Sequence, residues 1–261
     1  MKQYIVDAFA EELFTGNPAA VLPCKTMPSP DIMQKIATEN NYSETAFVVK
    51  TGDGKYDLKW FTPGGEVDLC GHATLAASYV LNHFADKGIE KMAFQTLSGE
   101  LTVTKEGDKF TMDFPAGKTK PVPVTPAMMK ASDNMASEAY FDGGDLVIIV
   151  DDEDKLRDFV PRDELILPLD GLGLILTAPS KKYDFVSRCF YPKLNVTEDP
   201  VTGRAHTYTG PIWAKKLGKT VMTAKQISRR SGIIGVRVAK DRVFLSGKVQ
   251  SFMQGDIPLE L

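Results

Sequence analysis

A thiol, a glycine and an imidazole stand side by side at Cys70-Gly71-His72, directly before the apolar run ATLAASYV at residues 73–80. The run predicts a buried helix, because alanine dominates it and polar residues are few. The first N–H groups of a helix have no partner inside the helix and favour an anion. Gly71 would let a ligand approach the backbone closely. The segment therefore predicts a site for an anionic group at a helix start.

A second segment repeats this plan in the other half of the chain. Both copies begin with Phe-x-Pro, at residues 61–63 and 190–192, pass through an acidic pair and reach x-Gly-x-Ala. The two glycines, Gly71 and Gly203, are 132 residues apart, about half the chain. Such self-similarity predicts duplicated halves, with two helix starts facing one cleft. The alternative is that both glycines only allow a helix to pack closely on a sheet.

Glu44 is the best candidate for an acid or base. It lies in SETAFV (residues 43–48), at the start of a predicted strand rich in apolar side chains. Such surroundings partly desolvate a carboxylate and disfavour its charged form. That property suits a general acid or base near neutral pH. The alternative is a surface glutamate at a strand edge.

Cys70 and His72 have a chemical and a structural interpretation each. A cysteine at a helix start is predicted to have a lowered pKa and some thiolate character, whereas most free cysteines are small buried hydrophobes. Thr202 occupies the matching position in the second half, and its hydroxyl is far too weak an acid to replace a thiol. This disfavours a racemase that uses two thiols. His72 could orient a carboxylate or relay a proton, or it could be structural.

The second segment adds two ligand-binding candidates. Asp199 could bind an amino or hydroxyl group, or it could only initiate a turn. Arg204 could pair with a ligand carboxylate, or it could face solvent beside Glu198. Cys24 and Cys189 have no visible partner and are interpreted as structural.

Length and composition limit the classes of protein. The 261 residues carry a net charge of −3, with 31 basic and 34 acidic side chains and no basic cluster, which disfavours a nucleic-acid partner. No apolar run approaches the ~20 residues of a membrane helix, so no membrane partner is expected. The N-terminal residues resemble a strand rather than a signal peptide. Three cysteines without metal-ligand spacing predict a cytoplasmic setting and no metal site.

The predicted elements favour an α+β fold. Strands outnumber helices, and regular strand–helix–strand crossovers are few, so we expect mixed, largely antiparallel sheets in two α+β halves. A linker is expected at residues 115–126, which contain four prolines and one glycine. Periodicity and composition predict helices at residues 30–40 and 128–136 and strands at residues 2–9, 19–22, 44–49, 56–61 and 94–103.

The chain resembles the PhzF-like family of phenazine-biosynthesis proteins, within the diaminopimelate-epimerase-like fold. The matching segments run over nearly the full chain and include GNPAAV (16–21), SETAFV (43–48), residues 60–76, 184–192 and 198–206, and QISRRSG (226–232). The resemblance implies two pseudo-symmetric halves, each a curved, barrel-like mixed β-sheet around a central α-helix, with the ligand between them. Residues 1–117, joined by the C-terminal strand, would form one half and residues 118–261 the other.

The resemblance also implies a chemistry, namely cofactor-independent isomerisation by proton transfer. It makes Glu44 the acid/base, supported by His72 and Asp199. It places Asn17, Gly71, Thr202 and Gly203 in loops around the substrate, and the residues themselves add Cys70 and Arg204 as candidates for substrate binding. Arg204 departs from the family, which usually has a small hydroxyl side chain there. Phenazine synthesis itself is not implied, because many family members lie outside such pathways.

Together these observations predict a cytoplasmic, biosynthetic isomerase that can form a homodimer. It would move a proton on a small, carboxylate-bearing metabolite with no metal and no organic cofactor. Two alternatives stay open at this stage. One is a racemase or epimerase that uses Cys70 with a different second acid, and the other is a metabolite-binding protein without catalysis.

Overall fold

A computed structural model describes residues 1–259. Within these residues the chain forms 18 β-strands and six α-helices. Its internal contacts divide it into two compact units. The first comprises Met1–Asp113 and the segment from Ser246 onward, and the second comprises Phe114–Leu245. The predicted boundary after residue 117 lies close to the first of these transitions.

The strands and helices up to the first boundary are, in chain order, β1 (Lys2–Ala8), β2 (Asn17–Cys24), α1 (Pro30–Asn40), β3 (Glu44–Gly52), β4 (Lys55–Thr62), β5 (Gly65–Val67), α2 (Gly71–Val80), β6 (Lys91–Thr96), β7 (Gly99–Glu106) and β8 (Lys109–Pro115). A single π-helical turn, Leu81–Ala85, extends α2.

The remaining elements are β9 (Lys120–Val122), α3 (Pro126–Ala131), β10 (Ala136–Phe141), β11 (Leu146–Val150), α4 (Glu153–Asp158), α5 (Asp163–Ile166), β12 (Leu174–Pro179), β13 (Phe185–Tyr191), β14 (Val196–Asp199), α6 (Gly203–Leu217), β15 (Val221–Gln226), β16 (Gly232–Ala239), β17 (Arg242–Gly247) and β18 (Val249–Asp256). β18 belongs to the first unit, where it pairs with β1.

The two units have the same pattern of strand pairing. In the first, β18, β1 and β2 are antiparallel, β2 and β3 are parallel, β3 and β4 are antiparallel, and β4 and β6 are parallel, with β5 folded back on β4. In the second, β9 to β16 repeat this order, with β11–β12 and β13–β15 as the parallel pairs and β14 folded back on β13. The predicted mixed sheets and duplicated halves are confirmed.

Each sheet carries one central helix that begins at the repeated glycine. α2 is buried along nearly its whole length and packs on β1, β2, β3 and β18. Its side chains are small enough for this close approach, as the alanine-rich sequence predicts. α6 packs on β16 and is half again as long. No helix among the described residues combines the length and apolar character needed to cross a membrane.

Local turn chemistry explains where the predicted elements differ from the observed ones. The single strand predicted at residues 94–103 is wrong, because the chain reverses between β6 and β7. There the Thr96 hydroxyl donates to the Gly99 carbonyl oxygen at 2.7 Å, and Gly99 has a φ of +97°, a conformation that glycine tolerates best. The helix predicted at 128–136 begins earlier, at Pro126, because the Thr125 hydroxyl accepts from the backbone N–H of Met128 at 3.2 Å.

Candidate active site

The first unit gathers four of the predicted site residues. Asn17 and Glu44 are the first residues of β2 and β3, and these strands run parallel with Ala19 opposite Glu44. Their starts therefore lie at the same edge of the sheet. Cys70 precedes α2, His72 is its second residue, and α2 packs on both strands. The fold thus brings together side chains that are up to 55 positions apart in the sequence.

His72 lies at the centre of this group. Its Nε2 atom is 3.0 Å from Oε2 of Glu44. On the other side of the ring, Nδ1 is 3.3 Å from Nδ2 of Asn17 and 3.6 Å from Sγ of Cys70. When the Asn17 amide donates to Nδ1, the proton of the neutral imidazole is on Nε2 and faces the carboxylate. The imidazole therefore connects a thiol on one side with a carboxylate on the other.

Glu44 and His72 lie close together, but the contact does not use the full hydrogen-bonding capacity of either side chain. The distance between Oε2 and Nε2 is that of an ion pair, but the angles between the two groups fall outside hydrogen-bond geometry. Neither atom therefore counts as having a hydrogen-bond partner among the described residues. The side chain of Glu44 is 17% exposed and that of His72 is 7% exposed. Buried polar atoms without a partner are rare in folded proteins. Oε2 faces the imidazole, so a ligand would reach Glu44 through the exposed part of its side chain.

Burial and charge act in opposite directions on His72. Burial alone lowers the pKa of His72, but Cys70 and Glu44 in their ionised forms raise it, and the net pKa is well above its usual range. Burial also raises the pKa of Cys70, and the nearby Glu44 carboxylate adds to this rise. The thiol is therefore neutral near pH 7, so that Glu44 supplies the charge that favours an imidazolium.

The predicted lowering of the Cys70 pKa is therefore wrong. Cys70 does precede the helix, where the backbone N–H groups favour a thiolate. Its side chain is only 6% exposed, however, and the loss of hydration outweighs the influence of the helix start.

The second unit places an ion pair where the first has Asn17 and His72. Asp145 follows Gly144 just before β11, as Asn17 follows Gly16 at the start of β2, and Arg204 is the second residue of α6. Nε of Arg204 lies 3.2 Å from Oδ2 of Asp145. The Asp145 side chain is fully buried, whereas that of Arg204 is 45% exposed. Burial raises the pKa of Asp145, and the Arg204 guanidinium opposes that rise.

Two aromatic residues complete the surroundings of this pair. The Tyr191 hydroxyl donates to Oδ2 of Asp145 at 3.3 Å, and the Arg204 guanidinium lies over the Tyr208 ring, 5.9 Å from its centroid. Oδ1 of Asp145 is a buried atom without a hydrogen-bond partner among the described residues. Asp145 is thus held in place by burial and by the bond from Tyr191, while part of the Arg204 guanidinium remains exposed.

Asp199 and Thr202 are held together by a third residue, Gln226. The Thr202 hydroxyl donates to the Asp199 carboxylate. The Gln226 amide group donates to the Asp199 carbonyl oxygen at 2.7 Å, and its side-chain oxygen accepts from the Thr202 backbone N–H at 2.8 Å. Gln226 is fully buried. These bonds fix the segment that leads into α6 and Gly203.

Arg204 does not pair with Glu198, the partner that the sequence offered as an alternative. Glu198 instead accepts two hydrogen bonds from Arg188, at 2.7 and 2.8 Å. The first unit has the same device, with Lys59 on β4 and Glu66 on β5 separated by 2.9 Å. In each half, the acidic residue of the repeated segment (Glu66 on β5, Glu198 on β14) therefore bonds its short strand to the long strand beside it.

Sequence reasoning missed two residues of the second unit, Asp145 and Gln226. The signal for Asp145 was present, because a glycine followed by a short polar residue opens an apolar strand in both halves. Gln226 lies in a segment that matches the family, but its type and spacing indicate no role. Cys189 is fully buried, and burial raises its pKa well above the usual range, in agreement with its structural interpretation.

One group among the described residues offers three potential metal-binding donors close together. One ligand atom each from Glu44, Cys70 and His72 lies within 4.8 Å of the others.

Three comparisons relate the chain to known proteins. A family model described as phenazine biosynthesis-like protein matches residues 6–255. An uncharacterized isomerase of Pseudomonas aeruginosa is 45% identical over 254 residues, which cover 97% of each chain. The crystal structure of a PhzF-family phenazine biosynthesis protein from Enterococcus faecalis is 43% identical and superposes with a TM-score of 0.96 over 99% of both chains. A probable proline racemase from Agrobacterium radiobacter, 10% identical with a TM-score of 0.63 over 99% of this chain and 93% of its own, shares the fold alone.

Proposed function

Since the chain belongs to the phenazine biosynthesis-like family, we propose that this isomerase moves a proton on a small, carboxylate-bearing metabolite, with Glu44 as the acid/base. The observation that supports the proposal most is the 3.0 Å approach of Glu44 Oε2 to His72 Nε2, two largely buried atoms whose hydrogen-bonding capacity is not used by the described residues. A general acid or base must reach the substrate proton, and the exposed part of the Glu44 side chain can do so while Oε2 stays against His72.

In the proposed reaction Glu44 acts as the only base. Its carboxylate takes a proton from a carbon of the substrate, and the electron pair of the broken C–H bond moves into the adjacent unsaturated system. The same carboxyl group then returns the proton to another carbon, so the double bond shifts. His72 holds Glu44 in place and, when protonated, stabilises its ionised form between turnovers. The N–H groups at the start of α2 would stabilise negative charge on the substrate.

The second unit would supply the recognition of the substrate carboxylate. A guanidinium has five N–H donors, and the contact with Asp145 engages only one side of Arg204, which leaves donors for a carboxylate. Gly203 at the start of α6 adds backbone N–H groups that favour an anion. Asp199, oriented by Thr202, would bind a polar group of the substrate. Asn17 and Gly71 would also contact the substrate.

Several parts of this assignment stay predictions. They are the location of the ligand between the halves, the cytoplasmic compartment, the homodimer and the absence of a cofactor. An epimerase that uses Cys70 is the second candidate, supported by the 3.6 Å approach of the thiol to His72. The raised pKa of Cys70 counts against it, because a neutral thiol is a poor base.

Deuterium exchange separates these possibilities. A thermal-shift screen of small carboxylates identifies ligands, because a compound that binds only the folded state raises the melting temperature. Each ligand is then incubated with the protein in D₂O and analysed by NMR. Deuterium incorporation with a shifted double bond supports the proposal. Incorporation with inversion at one carbon would instead indicate an epimerase, and a ligand that binds without any exchange would indicate a non-catalytic binding protein.

A further inference from the structure

The donors of the candidate active site form a chemically coherent set. Cys70 offers a thiol that would lose its proton on binding a metal ion, His72 an imidazole nitrogen and Glu44 a carboxylate oxygen, and these three ligand atoms lie within 4.8 Å of one another. Sulfur, nitrogen and oxygen donors of these kinds are the usual ligands of Zn²⁺, which also accepts three protein ligands and a water molecule. We propose that Glu44, Cys70 and His72 form a Zn²⁺ site whose occupation stops proton transfer.

The three donor atoms would have to move closer together to form a tetrahedral site. Zinc bonds of 2.0–2.3 Å place neighbouring ligand atoms about 3.4–3.6 Å apart. Sγ of Cys70 is 3.6 Å from Nδ1 of His72, and Oε2 of Glu44 is 3.0 Å from Nε2 of the same ring. Only one ring nitrogen can bind the ion, and the three donor atoms lie up to 4.8 Å apart, so the thiol or the carboxylate must move by about 1 Å towards it. The partial exposure of Glu44 gives its side chain the freedom for that adjustment.

A second observation points to a ligand at the same place. Oε2 of Glu44 and Nε2 of His72 are buried and have no hydrogen-bond partner among residues 1–259. Buried polar atoms are normally satisfied by protein, water or an ion. A cation bound to both atoms would satisfy them together. With the ion on Nε2, Nδ1 would carry the ring proton, and the Asn17 side chain, 3.3 Å away, would have to turn its amide oxygen towards Nδ1 to hold the ring, as outer-shell partners of ligating histidines do.

The donor types select the ion. Mg²⁺ and Ca²⁺ prefer all-oxygen sites, whereas a thiolate and an imidazole favour Zn²⁺ among the abundant cations. A bound Zn²⁺ would engage the Glu44 carboxylate, to which the proposed reaction assigns proton transfer, and the His72 imidazole, which holds that carboxylate in place. Metal binding and catalysis would therefore exclude each other, and the site would make this isomerase sensitive to zinc.

Cobalt provides a direct test on the full-length protein. After treatment with a chelator, the protein is titrated with Co²⁺, a spectroscopic substitute for Zn²⁺. We expect one ion per chain and a near-ultraviolet thiolate-to-cobalt band, which one equivalent of Zn²⁺ abolishes by displacement. The band should disappear in Cys70→Ala and persist in Cys24→Ala, the matched control for loss of a cysteine outside the group. Asn17→Ala should weaken binding by about 10–100-fold.

Other outcomes would overturn the proposal. They are a protein without a thiolate band, a band that survives in Cys70→Ala, or a band lost in Cys24→Ala. Circular dichroism and a second variant, Cys70→Ser, control for misfolding of the alanine variant. Because the spectrum reports the metal itself, this result is independent of whether the isomerase proposal holds. With an active substrate, one equivalent of Zn²⁺ should also stop deuterium exchange, and a chelator should restore it.

Discussion

The two halves of the chain use one topology for two different pairs of side chains. In the first half, Asn17 at a strand start lies 3.3 Å from His72, the second residue of the central helix. In the second half, Asp145 and Arg204 occupy the equivalent places and lie 3.2 Å apart. The first pair is neutral or singly charged according to pH, whereas the second unites a fixed cation with a buried carboxylate. The repeat has therefore kept the contact and changed its chemistry.

The residue at the position of Glu44 completes the comparison. β2 and β3 pair Ala19 with Glu44, and β11 and β12 pair Val147 with Ile175 at the equivalent register. Ile175 is fully buried and cannot exchange a proton. At these equivalent positions the first half has a carboxyl group and an imidazole, whereas the second half has an isoleucine and a guanidinium with fixed charge. A duplicated fold can divide two tasks in this way, because each copy is free to lose one of them.

The largest effect on the acid–base role assigned to the first half is expected for Glu44→Gln, which keeps the shape of the side chain and removes its ionisable proton. General acid–base catalysis contributes ~10²–10⁴-fold, so deuterium exchange into an active substrate should slow by about that factor. Glu39→Gln, which removes an exposed carboxylate at the end of α1, should leave the rate unchanged. A Glu44→Gln protein with nearly the parental rate would take the acid–base role away from the first half.

The histidines of the two central helices, His206 in α6 and His72 in α2, should contribute to the stability of the fold with opposite dependence on pH. Burial lowers the pKa of His206 in α6 to about 4. His206 therefore contributes stability above its unfolded pKa of about 6.5, and that contribution is lost as pH falls towards 4, by about 3 kcal/mol in total. The pKa of His72 is raised, so its contribution is complete below about pH 6.5 and is lost as pH rises through the folded value.

Chemical denaturation between pH 4 and 9 measures both slopes. His206→Gln should remove the loss of stability on the acidic side, and His72→Gln should remove the loss on the alkaline side. Each variant can differ from the parent at every pH, so the slope of the unfolding free energy is the readout. Equal slopes in all three proteins would mean that neither histidine has a shifted pKa.

Arg204→Ser tests the anionic preference assigned to the second half. The serine restores the small hydroxyl that the family usually has, and it removes a charged donor. Affinity for dianionic ligands should fall by about 1.5–3 kcal/mol, the range for hydrogen bonds to charged groups, with a smaller loss for monoanions. Arg157→Ser, which removes an exposed guanidinium paired with Glu153 within α4, is the matched control. Identical affinities for both ligand classes before and after the change would place Arg204 outside the site.

The smallest effect is expected for Cys70→Ser. The raised pKa keeps this thiol protonated near neutral pH, and Thr202 occupies its counterpart in the second half. Most of the isomerase activity should therefore remain. Complete inactivation, together with protection of the parental thiol from alkylation by substrate, would favour the epimerase and give the first half a second acid–base group.

Local patterns predicted the repeat and both central helices, because small residues and a glycine at a helix start need no tertiary information. The contact between Glu44 and His72 depends on the parallel register of two strands, which the sequence does not state. Asp145 escaped notice because its partner is 59 positions away, at Arg204. The pKa of Cys70 was predicted in the wrong direction because the helix rule is local, whereas burial belongs to the folded chain.

The return of β18 to β1 has a consequence for how the protein is made. Lys2 pairs with Asp256 and Ala8 with Val249, so two neighbouring strands of one sheet are separated in the sequence by the entire second unit. On the ribosome, the second unit emerges as one continuous piece and can fold while synthesis is still under way. The first unit must wait, with one edge of β1 unprotected, until β18 leaves the exit tunnel. The half proposed to carry the chemistry thus begins to be translated before the second unit and is completed after it.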